Sequence, residues 1–170
     1  TPTQWAQRAP HNPRAVTLGD RVFAPGVAVR LQGQLLEALA AYHAEQPLSL
    51  GAHRRELRRG RLGHLPDRVF DALVDRLSVN RLVHVDGPLV RVAGFAVELT
   101  ADQAALRAHL EQTIGAAGIG GMSIKALHEA HPEPEVAALL RLVEAADIAI
   151  QVPGVGWVSR TELSKLTQAL

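Results

Sequence analysis

The sequence predicts a mostly helical α+β chain with small β-hairpins, and an internal repeat is the first observation behind that class. Residues 70–92, FDALVDRLSVNRLVHVDGPLVRV, align without a gap on residues 136–158, VAALLRLVEAADIAIQVPGVGWV. Phe70 falls on Val136, Leu73 on Leu139, Leu77 on Val143, Leu82 on Ile148 and Val92 on Val158. The second observation is the order of periods inside each copy. Apolar residues at helical spacing give way to a short β-branched run, a turn containing Gly and Pro, and a second short run. A repeat outranks local signals because it fixes the unit that must fold. Helix then hairpin, twice, reads as two tandem winged-helix (winged helix-turn-helix) units, each hairpin a wing and each preceding helix of the recognition type.

The elements follow in order. Residues 1–14, TPTQWAQRAPHNPR, are Pro-rich and aperiodic, a lead-in in which Trp5 is expected to dock on the body. Ala15–Ala24 reads as two short strands around Leu18-Gly19-Asp20, the remnant wing of a preceding unit, so that residues 1–26 stand apart. The first full unit is residues 27–99. Its opening helix, Val27 to Glu45, places Val29, Leu31, Leu35, Leu36, Leu39 and Tyr42 on or near one face. A short helix over Ala52–Arg61 follows. Pro66 and Asp67 suit the start of a third helix, Asp67–Val79, burying Val69, Phe70, Leu73, Val74 and Leu77. Asn80 is the expected left-handed cap. The wing, Leu82–Val85 and Leu89–Val92, turns at Asp86-Gly87.

Residues 100–159 form the second unit. Thr100 with Gln103 makes a capping box for a helix over Ala101–Ala116, with Leu106, Leu110 and Ile114 inward. Ser123 caps a short helix burying Ile124 and Leu127. A third helix over Glu133–Ala146 and a wing over Ile148–Val152 and Gly156–Ser159 complete it. Residues 160–170 open a further amphipathic helix carrying Leu163, Leu166 and Leu170. A helix that opens a unit and stops leads us to expect a piece of a longer protein.

Composition bounds the chemistry. Apolar residues are 47% of the chain and aromatics 4%, so the cores are aliphatic. Without cysteine there is no disulfide and no thiolate-ligated metal. No apolar run is long enough to span a membrane and no signal-peptide layout opens the chain, so a cytoplasmic protein is expected. The net charge of +1 hides an asymmetry. Nine Arg face seven acidic residues between Leu36 and Phe95, whereas three basic residues face seven acidic ones between Thr100 and Ile150. The first unit is the better partner for a polyanion.

The strongest candidate site is AHRRELRRGRLGH, residues 52–64. Arg54, Arg55, Arg58, Arg59 and Arg61 crowd one helix, Arg54 sharing a face with Arg58 and Arg55 with Arg59. Such a run neutralises phosphates, and it equally suits a solvated surface paired with local carboxylates. The exposed residues of the third helix are mixed in sign in the first unit (Arg68, Asp71, Asp75, Arg76) and mostly acidic in the second (Glu133, Glu135, Glu144 against Arg141), which opposes groove reading. GAAGIGG, residues 115–121, lacks the strand before it and the Lys-Ser/Thr after it that a phosphate loop needs, and reads as a cap and linker. His128 and His131 have no signposted third ligand, so no metal site is assigned. Trp157 is expected to pack under its wing. No catalytic constellation is marked, so no enzyme is read in these residues.

Leu35, Leu36, Leu39, Tyr42, His43, Pro47, Leu48, Gly51, Glu56, Leu57 and Arg58 together resemble the C-terminal region of bacterial selenocysteine-specific elongation factors (SelB). Gly19-Asp20-Arg21-Val22 looks like the end of that family's first winged helix. The resemblance is strong to Leu99 and looser beyond. It implies a translational GTPase in full length, with four winged-helix units after a body that binds GTP, Mg and selenocysteyl-tRNA. The last units of that family bind an mRNA hairpin downstream of UGA. On this mapping the chain holds the wing of the first unit, the second and third units and the opening helix of the fourth, with no GTPase motif and no cofactor of its own. The partners implied are the mRNA selenocysteine-insertion hairpin and the ribosome, with Arg54–Arg61 the expected contact through backbone and shape. A winged-helix DNA-binding transcription regulator and a protein-interaction scaffold are the alternatives.

Overall fold

The computed structural model describes residues 15–60 and 62–168; Trp5 and the rest of the lead-in lie outside the described residues, as does Arg61. The chain forms two compact units whose division falls between Ala96 and Val97, with Pro47–Ser49 grouped with the second. Both are α+β winged helices with small antiparallel sheets.

The first unit begins with the hairpin β1 (Val16–Leu18) and β2 (Arg21–Phe23), turning at Gly19 with φ +59°. A Cβ at Gly19 would sit 2.6 Å from the Arg68 carbonyl oxygen, so only glycine allows this approach to the third helix. Leu18 is buried in the same core as Phe70. The hairpin expected to belong with a preceding unit therefore packs as part of this one. Helix α1 (Pro25–Glu45) starts with Pro25 in its first turn and buries Ala28, Leu31, Leu35, Leu39 and His43. Val29, expected near the apolar face, is 66% exposed.

Residues 52–61, expected as one helix, divide. Ala52–His53 is strand β3, pairing with the last strand of the wing through Ala52↔Val90 and His53↔Leu89. Among the described residues of this stretch only Arg54–Arg59 is helical (α2). Tertiary pairing overrides helix propensity at 52–53, because Ala52 is fully buried against Val90. Helix α3 (Asp67–Val79) has its expected bounds and buries Val69, Phe70, Leu73, Val74 and Leu77. Each such side chain contributes roughly 1.5–3 kcal/mol of burial. The wing is β4 (Val83–Asp86) and β5 (Leu89–Val92), with sheet order β3-β5-β4. Gly87, at φ +53°, is the first residue of its two-residue turn and Pro88 the second.

The second unit repeats the plan. Helix α4 (Ala101–Ala116) opens on the expected capping box: Thr100 Oγ1 accepts from the Gln103 N–H and Gln103 Oε1 from the Thr100 N–H. Ser123 caps α5 (Ile124–Ala130) through the Ala126 N–H. Leu127 is buried, whereas Ile124 is 44% exposed and does not face inward. Helix α6 (Val136–Ala145) starts three residues later than expected, past Pro132 and Pro134, because a residue that precedes proline is disfavoured in the helical region. The wing is β6 (Ala149–Val152) and β7 (Gly156–Ser159), and α7 (Arg160–Gln168) follows directly. In place of a β3 strand, Met122 bridges Trp157, each N–H donating to the other's carbonyl.

The repeat extends to the backbone. Arg81 and Asp147, at equivalent positions, have φ +58° and +57°. The N–H of Leu82 donates to the Leu77 carbonyl and that of Ile148 to the Val143 carbonyl, closing both third helices in the Schellman pattern. The left-handed residue is therefore not Asn80, whose φ is −77°, but the one after it. The gapless alignment also needs one correction. Val83 pairs with Val92 but Ala149 pairs with Ser159, so the second wing turn is one residue longer and Val92 corresponds to Ser159.

At Gly156, φ is +114° and a Cβ would lie 2.5 Å from the Met122 carbonyl oxygen; Gly154 also has positive φ, +78°, but faces open space. Gly156→Ala is expected to cost more than about 2 kcal/mol and Gly154→Ala about 1 kcal/mol, read as the difference between their denaturant midpoints at constant slope.

Candidate nucleic-acid interface

The arginine run on α2 separates by face. Arg54 lies against α3: its Nη1 donates to Asp71 Oδ1 at 3.0 Å, and Nη2 is 4.0 Å from Asp75 Oδ1. Arg58 pairs with Asp67, reaches the Leu65 carbonyl and lies 5.8 Å from the Phe70 ring centroid. These two guanidiniums fasten the short helix to the third helix of its unit, and their charge is met within the protein. Arg55 and Arg59 are exposed and their side chains make no ion pair among the described residues. The cleft between α1 and α2, about 510 Å³, is lined by Glu37, Glu45 and Glu56, so carboxylates border this helix.

The other sequence candidates resolve simply. Trp157 is 4% exposed and packs under the second wing, so no base stacks on it. Gly121, in the glycine-rich run, has φ +66° and would place a Cβ 2.8 Å from Val155; it admits the wing turn. His128 is exposed on α5, while His131 stacks near His109 and faces the Thr113 hydroxyl at 3.4 Å. Among the described residues no group of three side chains is placed to hold a metal ion. None of the helices among them is long and apolar enough to cross a membrane.

His43 has a role that sequence patterning missed. It is 7% exposed, its Nε2 accepts the Val92 N–H at 3.3 Å, and its ring stacks on Phe95 with centroids 3.6 Å apart. It joins α1 to the end of the wing. Burial, followed by the nearby Arg91 charge, holds its pKa below the usual histidine value. The Tyr-His pair in the sequence marked the position, but only the fold shows the N–H it accepts. Charge runs likewise give no sign of Arg81 and Arg91, at the end of α3 and on β5, which line one cleft.

A family model described as "Elongation factor SelB, winged helix" matches residues 36–92, from α1 through the first wing. Over residues 36–92 the chain is therefore similar to the SelB winged-helix family. The selenocysteine-specific elongation factor of Desulfomicrobium baculatum is 29% identical over 138 residues, 80% of this chain and 22% of that protein. The crystal structure of bacterial selenocysteine-specific elongation factor EF-Sec superposes with a TM-score of 0.51 at 12% identity, over 92% of this chain and 24% of that one. That likeness is one of fold. The chain thus spans less than a quarter of the length of each relative, and the SelB-type unit is followed here by a second winged helix.

Two outcomes follow from these contacts. Arg54→Ala and Arg58→Ala are expected to destabilise by about 0.5–1 kcal/mol each, and Arg55→Ala and Arg59→Ala by less than about 0.5 kcal/mol, in urea titrations. For His43 the folded pKa is lowered, so its contribution is complete above about pH 6.5 and is lost as pH falls below that toward the folded value. Wild type is expected to lose more stability than His43→Leu between about pH 7.5 and about pH 5.5.

Proposed function

We propose that this chain is part of the winged-helix arm of a selenocysteine-specific translation elongation factor, linking a GTPase and tRNA-binding body to an mRNA hairpin and the ribosome. The observation that carries the reading is the SelB-type winged helix at residues 36–92 continuing into a second winged helix. The role is mechanical and adhesive: each unit is a closed aliphatic core with a projecting wing, and RNA is held by backbone charge and shape. GTP, Mg and selenocysteyl-tRNA belong to the body of such a factor.

Duplex DNA reading is disfavoured by the third helices. Asp71 and Asp75 of α3 engage Arg54, and α6 exposes Glu144 beside Arg141. Among the described residues of the arginine run, Arg55 and Arg59 are the ones with charge to spare for phosphate.

The test is a chimera. The matching stretch of the D. baculatum factor is replaced by this chain, and UGA readthrough of an in-frame reporter is measured. Readthrough well above that of a factor lacking the stretch is expected; readthrough no higher than that deletion would sink the proposal. In anisotropy titrations with a labelled RNA hairpin, Arg55→Ala with Arg59→Ala is expected to flatten the log–log salt dependence by about 1.5.

A further inference from the structure

A second basic site lies on the first wing. A cleft of about 430 Å³ has Ser78, Arg81, His84, Arg91, Gly94 and Phe95 in its lining. Arg81 comes from the end of α3, His84 from β4 and Arg91 from β5, where His84 and Arg91 are cross-strand partners. None of the three side chains makes an ion pair or hydrogen bond among the described residues. No carboxylate lines the cleft, in contrast to the Glu-lined cleft beside α2. Phe95, fixed by its stack on His43, forms a rigid wall.

The repeat shows what the fold alone requires at these positions. In the second unit Ser78, Arg81 and His84 correspond to Glu144, Asp147 and Ile150, and Arg91 to Val158. Asp147, at φ +57°, is a residue type that tolerates the left-handed region, and it is neutralised by Arg160 at 2.7 Å. Arg81 adopts the same conformation with neither advantage, at a cost of roughly 1–2 kcal/mol relative to glycine. The negative end of the α3 dipole favours one cation there, but it does not account for Arg91 on the neighbouring strand. A winged helix closes without this cluster, as the second unit does.

We propose that the wing cleft formed by Arg81, His84 and Arg91 binds a backbone phosphate of RNA. This rests on the translation-factor reading for the choice of RNA as the polyanion. Two guanidiniums and an imidazole supply forked and single N–H donors to the phosphate oxygens, with the Ser78 hydroxyl beside them. The contact is independent of base identity, so it secures the arm wherever the strand passes and leaves sequence reading elsewhere.

The experiment is fluorescence anisotropy of the whole chain with a labelled RNA hairpin of arbitrary sequence, between about 50 and 200 mM salt. Arg81→Gly with Arg91→Gln is expected to weaken binding about tenfold and to flatten the salt slope by about 1.5. Its melting midpoint is expected to stay unchanged or rise, since glycine suits the left-handed position. Lys125→Gln with Arg141→Gln removes the same net charge from the second unit and is expected to change affinity less than about twofold. Equal weakening by both double variants, no weakening by the first, or no binding by the wild type would overturn the proposal. So would displacement of the RNA by inorganic phosphate at constant ionic strength in the wild type alone, which would assign the cleft to the free anion. A working chimera with an unaffected wing variant removes only the wing cleft; a failed chimera with a weakened wing variant removes only the factor assignment.

Discussion

Each unit depends on how its third helix ends. Four backbone carbonyls at a helix terminus lack partners, and here two of them are met by N–H groups of the chain as it reverses. That reversal needs one left-handed residue, Arg81 or Asp147, and it aims the next strand back along the helix. Leu77 and Val143 are fully buried just before it, and Val83 and Ala149 are buried just after. The wing therefore leaves the core at a set angle, held by packing on both sides of a single strained residue. The wing cleft inherits its geometry from this, because Arg81 is itself the residue at the reversal.

The second constraint is close approach between backbones. Gly51 lies against the Val90 carbonyl, and Gly156 against that of Met122. Both contacts bring the segment before the short helix onto the returning strand of the wing, as β3 in the first unit and as a single bridge in the second. A side chain at either point would push the wing off its helices. These two glycines are what allow the small sheet to form.

The chemistry of the surface follows from where charge is already met. Winged helices that read duplex DNA present basic third helices, whereas α3 here uses carboxylates to hold Arg54 and Arg58. Arg55, Arg59 and the wing arginines are among the open cations of the first unit. On the proposed reading, a weak, distributed affinity for RNA backbone would suit an arm that positions a larger factor better than it would suit a sequence reader.

Period and repetition were enough to read the α+β class, two winged helices, the bounds of α3 and the Thr100 capping box, because these depend on local spacing and on hydrogen bonds within a few residues. The resemblance around Leu35–Arg58 gave the family from the same residues. Long-range pairing decided the rest. Ala52–His53 became a strand because Val90 and Leu89 stand opposite them, and the left-handed residue moved from Asn80 to Arg81 because the reversal sets its place. The arginine run looked uniform in sequence, but α3 carboxylates claim Arg54 and Arg58 and leave Arg55 and Arg59. His43 became a buried acceptor, and Arg81 and Arg91 came to line one cleft, through pairings between residues distant in the chain. Charge and hydropathy are properties of single residues; which charges are already satisfied is a property of neighbours that only folding brings together.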